Sequence, residues 1–215
     1  MPDPKPSPSP RGGLRRALPL IALAGATDAL VFQHSKQLLA VYMTGNTTRV
    51  GEFALQGRWQ STAPLLAVLG VFLLATTGAA WLGQRVGDWR ATLVMTLSAV
   101  LMACAAPLAA LQPESFSLAT VALIAAAIGC LNQALAGEPG VSFITGVLVK
   151  TGRALAAARW AEAAGDLLRW LALLLGAVAG CVLTSIFGTA TLLVIASLII
   201  VNALCAWPQQ VAVVV

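Results

Sequence analysis

Charge is so sparse in this chain that its positions dictate what can be built. Between Arg58 and Arg85 lie 26 uncharged residues, between Arg90 and Glu114 23, between Glu114 and Glu138 another 23, and none after Arg169 is charged. A helix needs about 20 mostly apolar residues to cross a bilayer, where the backbone must satisfy its own hydrogen bonds. With 59% hydrophobic and 10% charged residues, the chain cannot clothe itself for water, since a soluble domain carries about 25% charge. The same balance excludes a disordered chain, a disulfide scaffold and a coiled coil. A net charge of +5 does not point to nucleic acid, because the bases sit at the edges of apolar runs.

These runs predict an all-α polytopic membrane protein with six transmembrane helices, at 15–33, 62–84, 91–112, 116–136, 167–187 and 189–207. The last charge-free run is too long for one helix and breaks at Phe187-Gly188-Thr189. Residues 1–13 are Pro-rich and form a disordered cytosolic tail; 208–215 form a short C-terminal tail. Arg11, Arg15 and Arg16 before Ala24-Gly25-Ala26 imitate a cleaved signal peptide. The further spans and Asp28 favour an uncleaved first helix instead. With both termini cytosolic, Lys5, Arg11, Arg15, Arg16, Arg85, Arg90, Lys150, Arg153, Arg159 and Arg169 lie inside, against Lys36, Arg49 and Arg58 outside. That bias is the one expected of an inner-membrane protein. Segments 38–58 and 139–161 are apolar but interrupted; counting both as spans would move the Arg85/Arg90 turn outside.

The chain also repeats itself. Thr44-Gly45-x-x-x-Arg49-x-Gly51 recurs as Thr145-Gly146-x-x-x-Lys150-x-Gly152, and Arg58-Trp59 recurs as Arg159-Trp160, all at an offset of 101 residues. Gly25 and Asp28 correspond to Gly129 and Asn132 with a small shift. The expectation is two membrane repeats, 14–112 and 113–207, each with three spans and a short or interrupted helix at its Thr-Gly motif. An odd number of spans inverts the second copy, as in secondary transporters whose site forms at the midplane where interrupted segments meet.

On that basis Thr44, Gly45, Asn46, Thr47, Thr145 and Gly146 are the candidate substrate-binding residues. Helices restarting near Asn46 and Val147 would aim their amides at an anion, and Arg49 and Lys150 would add positive charge. Asp28, the one acid clearly within a span, is the candidate proton-coupling group, since an intramembrane carboxylate usually faces the bundle interior as an ion or proton site. The competing reading makes Asp28 a hydrogen-bonded structural carboxyl and the Thr-Gly motif an ordinary helix cap. Gly176 and Gly180 form a GxxxG, favouring helix association within or between chains. Pro107 should kink its span or mark a frayed end. His34 is a surface residue, and the six tryptophans sit near span ends as an interfacial belt.

Cys104, Cys130, Cys181 and Cys205 stand singly without a histidine partner, so neither metal nor cofactor is expected. There is no catalytic pair of acids and no nucleophile elbow, hence no enzyme.

Met43-Thr44-Gly45-Asn46-Thr47 after Gly25-x-x-Asp28-Ala29, with Phe143-Ile144-Thr145-Gly146 later, resembles the YoaK family, bacterial integral membrane proteins classed as a domain of unknown function. The segment Cys130-Leu131-Asn132-Gln133-Ala134 fits that family's Asn-Ala-rich stretch only loosely. The resemblance implies a multi-pass protein of the bacterial inner membrane and supplies no substrate. The functional expectation is a small secondary transporter of a polar or anionic solute, possible also as a homodimer. The alternative is a non-transporting scaffold or partner-binding subunit.

Overall fold

The computed structural model describes residues 10–35, 38–138 and 140–206. Expectations placed on residues 1–9, Lys36, Trp207 and 208–215 lie outside the described residues. Among the described residues eight α-helices follow in order: α1 (Pro10–His34), α2 (Met43–Leu55), α3 (Trp59–Val86), α4 (Arg90–Leu111), α5 (Leu118–Leu131), α6 (Ile144–Ala156), α7 (Trp160–Phe187) and α8 (Thr191–Ala206). Short 3₁₀ turns, Gly87–Trp89 and Gly188–Ala190, join α3 to α4 and α7 to α8. No strand occurs among the described residues.

Three helical stretches are long and apolar enough to cross a membrane: Gly13–His34, Trp59–Leu111 and Trp160–Ala206. At 1.5 Å per residue the second and third far exceed a hydrocarbon core of about 30 Å, and each holds two helices. The composition and these stretches together suggest a membrane protein.

Equivalent elements start at the same spacing. The pairs α2 and α6, α3 and α7, the two 3₁₀ turns, and α4 and α8 each begin 101 residues apart. The corners match in backbone detail. Gly57 (φ +68°) and Ala158 (φ +54°) turn the chain out of α2 and α6. Behind them Arg58 N–H donates to the Phe53 carbonyl and Arg159 N–H to the Ala154 carbonyl, both at 2.8 Å.

Glycine decides how the long helices meet. On α1, a Cβ at Gly25 would collide with the Leu173 carbonyl of α7; a Cβ at Gly176 or Gly180 would collide with Ala22 or Ala26. Partners advance together along both helices, so α1 and α7 run parallel with backbones in contact. The GxxxG is thus used inside the chain. Gly129 of α5 approaches the Phe72 carbonyl of α3, where a Cβ would stand 2.9 Å away. The first helix of each half therefore lies on the third helix of the other half.

The remaining directions follow from hydrogen bonds. Phe116 N–H reaches the His34 carbonyl (2.9 Å), and Glu138 lies against Gly13. The end of α1 thus meets the start of α5, and its beginning meets the chain after α5: the two run antiparallel. Ser98 Oγ donates to the Ala127 carbonyl at 2.7 Å and Arg90 Nε to that of Gln133 at 2.8 Å, setting α4 antiparallel to α5. Ile124, Ile128, Met102, Ile195 and Ile199 fill the space between α4, α5 and α8 and are inaccessible to solvent.

Boundaries differ from expectation at four places. Helix α1 begins at Pro10 rather than 15. Helix α5 stops at Leu131 rather than 136, because the Asn132 side chain takes up Ser142. Helix α7 begins at Trp160 rather than 167, since Ala161 to Gly165 continue the helix whether or not they lie in lipid. Pro107 ends nothing, and α4 continues through it to Leu111.

Candidate functional site

The two Thr-Gly motifs sit in the first turns of α2 and α6, which start at Met43 and Ile144 rather than near Asn46 and Val147. Their glycines are not chain breaks. The Tyr42 ring lies over Gly45, 2.5 Å from where a Cβ would stand, and the Phe143 ring covers Gly146 so closely that any Cβ would collide. An aromatic ring folded over the helix start requires a residue without a side chain beneath it.

Asn46 is fully buried. It receives the Leu39 N–H on Oδ1 at 3.0 Å and donates Nδ2–H to the Leu39 carbonyl at 2.7 Å. Its amide is thereby spent on the chain segment entering α2. Thr47 donates to the Met43 carbonyl (3.1 Å) and Thr48 to that of Thr44 (3.1 Å), both exposed. Thr44, Thr145 and Lys150 are exposed, and Arg49 is half-buried.

Helix α6 has no asparagine at the position of Asn46; Val147 stands there. The same task falls to Asn132, the residue after α5, whose Oδ1 accepts the Ser142 N–H at 3.1 Å and whose Nδ2 donates to Ser142 Oγ at 3.0 Å.

Helix α2 packs on α3 and helix α6 on α7. Helix α2 follows the His34 end of α1 in the chain, while Glu138, ahead of α6, lies at Gly13. Those points are 21 residues apart on one helix, about 32 Å at the helical rise. Because α1 and α5 run oppositely, the chain leaves α1 for α2 at its His34 end and approaches α6 from its Gly13 end.

Asp28 is half-buried on α1 and makes no hydrogen bond or ion pair among the described residues. Near it, Thr27 donates to the Leu23 carbonyl at 2.8 Å. Thr184 lies one turn beyond Gly180, level with the turn of α1 after Ala26. Its hydroxyl and that of Thr191 are buried without a partner. Asp28, Thr184 and Thr191 all belong to the His34 end of the α1–α7 pair. Neither threonine stands out in the sequence, because their places depend on which helices lie beside which.

A second polar cluster is equally invisible to spacing. Arg169 donates from Nη2 to Glu138 Oε2 (2.7 Å) and from Nη1 to Asp166 Oδ1 (3.1 Å). All three side chains are 17% exposed or less. Arg169 thus ties α7 to the segment before α6. Arg90, expected merely at a span end, lies across Gly83 and also donates from Nη2 to Gln133 Oε1 at 3.3 Å.

A cleft of about 270 Å³ opens between α1, α7 and α8, lined by Ala22, Ala26, Gly176, Leu183, Leu198 and Asn202 among others. It is almost wholly apolar and includes no Thr-Gly residue. His34 stacks on Phe116 with ring centroids 4.9 Å apart, a packing role. All four cysteines are free, and no group of three metal-binding side chains occurs among the described residues.

A family model described as protein of unknown function (DUF1275) matches residues 17–205. No curated protein and no solved structure matches the chain.

Proposed function

We propose that this chain, which belongs to the DUF1275 family of unknown function, is a six-span inner-membrane protein of two inverted halves that moves a small polar solute. The supporting observation is the opposed course of α1 and α5, which sends equivalent short helices α2 and α6 to opposite ends of α1. Alternating access needs the same device at each face of the membrane; an anchor needs neither the opposition nor the duplication. In this reading the Thr-Gly turns shape the two mouths and do not form the binding site. The solute meets Asp28, Thr184 and Thr191, polar groups that packing leaves without partners at the His34 end of α1, with Asp28 as the proton-coupling group. The bacterial YoaK character expected from the motifs belongs to the same proposal.

Two measurements test it. Gln56 and Ala157 are exposed equivalents at the ends of α2 and α6. Single cysteines there, in a background without Cys104, Cys130, Cys181 and Cys205, should react with an impermeant maleimide from opposite sides. Labelling from one side would end the inverted reading. Solute-driven proton flux in proteoliposomes should vanish in Asp28→Asn at undiminished thermal stability; unchanged flux would remove Asp28 from coupling.

A scaffold is the second reading, and the apolar cleft favours it. If no solute drives flux while both cysteines label from opposite sides, the scaffold stands.

A further inference from the structure

Helices α2 and α6 occupy equivalent places, but their outer surfaces carry different chemistry. Ile144, Val147, Thr151 and Ala154 form the buried face of α6. At 100° per residue, Leu148 and Leu155 fall on one flank of that face, while Lys150 and Arg153 fall on the other. All four are exposed, and neither base has an ion-pair partner among the described residues. A helix with one flank apolar, one flank basic and its third face on protein is shaped for the edge of a bilayer.

The equivalent positions of α2 do not have this form. Thr47 and Thr48 stand where α6 has Leu148 and Val149, and Glu52 stands where α6 has Arg153. The basic character of α6 is also continued by its neighbours. Glu138 lies at Gly13, and Leu14 lies beside Gly165 of α7, so the exposed Arg15 and Arg16 of α1 belong to the same end of the molecule. Exposed Arg15 and Arg16 thus add to the bases of α6 at that end.

We propose that α6 is an interfacial helix whose Lys150 and Arg153 bind the headgroups of anionic phospholipids, with Leu148 and Leu155 set into the acyl region beneath them. The occupant follows from charge complementarity and from the apolar flank, which a soluble anion would leave in water. The inference rests on the chain lying in a bilayer, not on solute transport, so its test reads lipid and not flux.

Each base near an anionic surface contributes about five-fold to binding, so two give about twenty-five-fold. The full-length protein, purified from mixed micelles holding equal phosphatidylglycerol and phosphatidylcholine, should retain the anionic lipid preferentially, as counted by native mass spectrometry. The double variant Lys150→Gln/Arg153→Gln should lower that ratio by about twenty-five-fold. Arg49→Gln on α2 should leave it unchanged. Lys150 and Arg153 are exposed, and an unaltered thermal midpoint in each variant verifies folding. An unchanged ratio in the double variant, or an equal fall in Arg49→Gln, overturns the proposal. So does displacement of the lipid by excess inorganic phosphate, which would make the site one for a soluble anion.

Discussion

The α1–α7 and α3–α5 seams are equivalent by position and unequal in construction. Along the first, Gly25, Gly176 and Gly180 let two backbones touch. Along the second, Gly129 alone plays that part. Ala75 and Ala79 stand where the first seam has Gly176 and Gly180, and Thr76 Oγ1 closes on the Gly129 carbonyl at 3.3 Å. The consequence reaches the fourth elements. Helix α5 is sheathed by α3 and α4 and buried over most of its length. Drawn against α7, α1 leaves the apolar cleft on its α8 side. Matching backbones have therefore kept different interiors, and it is the unlike side chains that leave one half closed around α5 and the other open at α1.

The largest expected effect breaks the tighter seam. Gly25→Val should cost about 3 kcal/mol or more through overpacking, with most of the protein lost from the monodisperse peak in detergent. The sharper test is smaller in size. Gly25→Ala meets backbone, whereas Gly129→Ala meets the Thr76 and Ala75 side chains as well as one carbonyl and has more room to relax. Thermal midpoints should fall clearly further for Gly25→Ala. Equal falls would mean that the seams are equally close and that the glycine difference is incidental.

Next comes the charge cluster that only the second half possesses. The positions equivalent to Asp166 and Arg169 are Leu65 and Val68, both fully buried. Arg169→Leu would strand two carboxylates that are 17% and 11% exposed, at a cost of about 3 kcal/mol. Adding Glu138→Gln and Asp166→Asn should restore most of the loss, because no charge is then left uncompensated. A single variant as stable as the parent would show that Arg169 does not hold the segment before α6.

Much of this plan is legible in the sequence, and the boundary of legibility is instructive. Local signals carry well: the recurrence at 101 residues, the Arg-Trp pairs that open α3 and α7, and the charge-free runs. What fails is any property decided by which helix lies beside which. Gly45 and Gly146 suggest a broken chain, yet their use is to admit the Tyr42 and Phe143 rings, one turn of the chain away. Arg169 looks like a span end because its partner Glu138 is 31 residues distant. Thr184 and Thr191 carry no local mark at all. Register between helices is set by shape complementarity along whole faces, which periodicity within one helix does not record.

The asparagine exchange sharpens the comparison at a lower energy. Asn46→Ala would leave both the N–H and the carbonyl of Leu39 without partners in a buried place, costing about 2 kcal/mol. Asn132→Ala removes bonds to Ser142 from a half-exposed site, so about 1 kcal/mol is expected. Equilibrium unfolding should rank them in that order. The reverse ranking would indicate that the segment before α6 is the more tightly held, with Arg169 and Asn132 acting together.

The smallest effect is also the most direct test of equivalence, since it exchanges residues between the two corners. Gly57 and Ala158 occupy one backbone state, φ +68° and +54°, with the same hydrogen bond closing behind each. A left-handed residue with a Cβ carries a strain of about 1–2 kcal/mol that glycine avoids. Glycine in turn gives back part of this by freeing the unfolded chain, about 0.4–1 kcal/mol. Ala158→Gly should therefore stabilise by about 0.5 kcal/mol, and Gly57→Ala should destabilise by a similar amount. Opposite signs at two positions 101 residues apart would follow only if both corners hold the left-handed state. Should both variants lose stability, Ala158 is held by contacts that Gly57 lacks, and the corners are alike in outline alone.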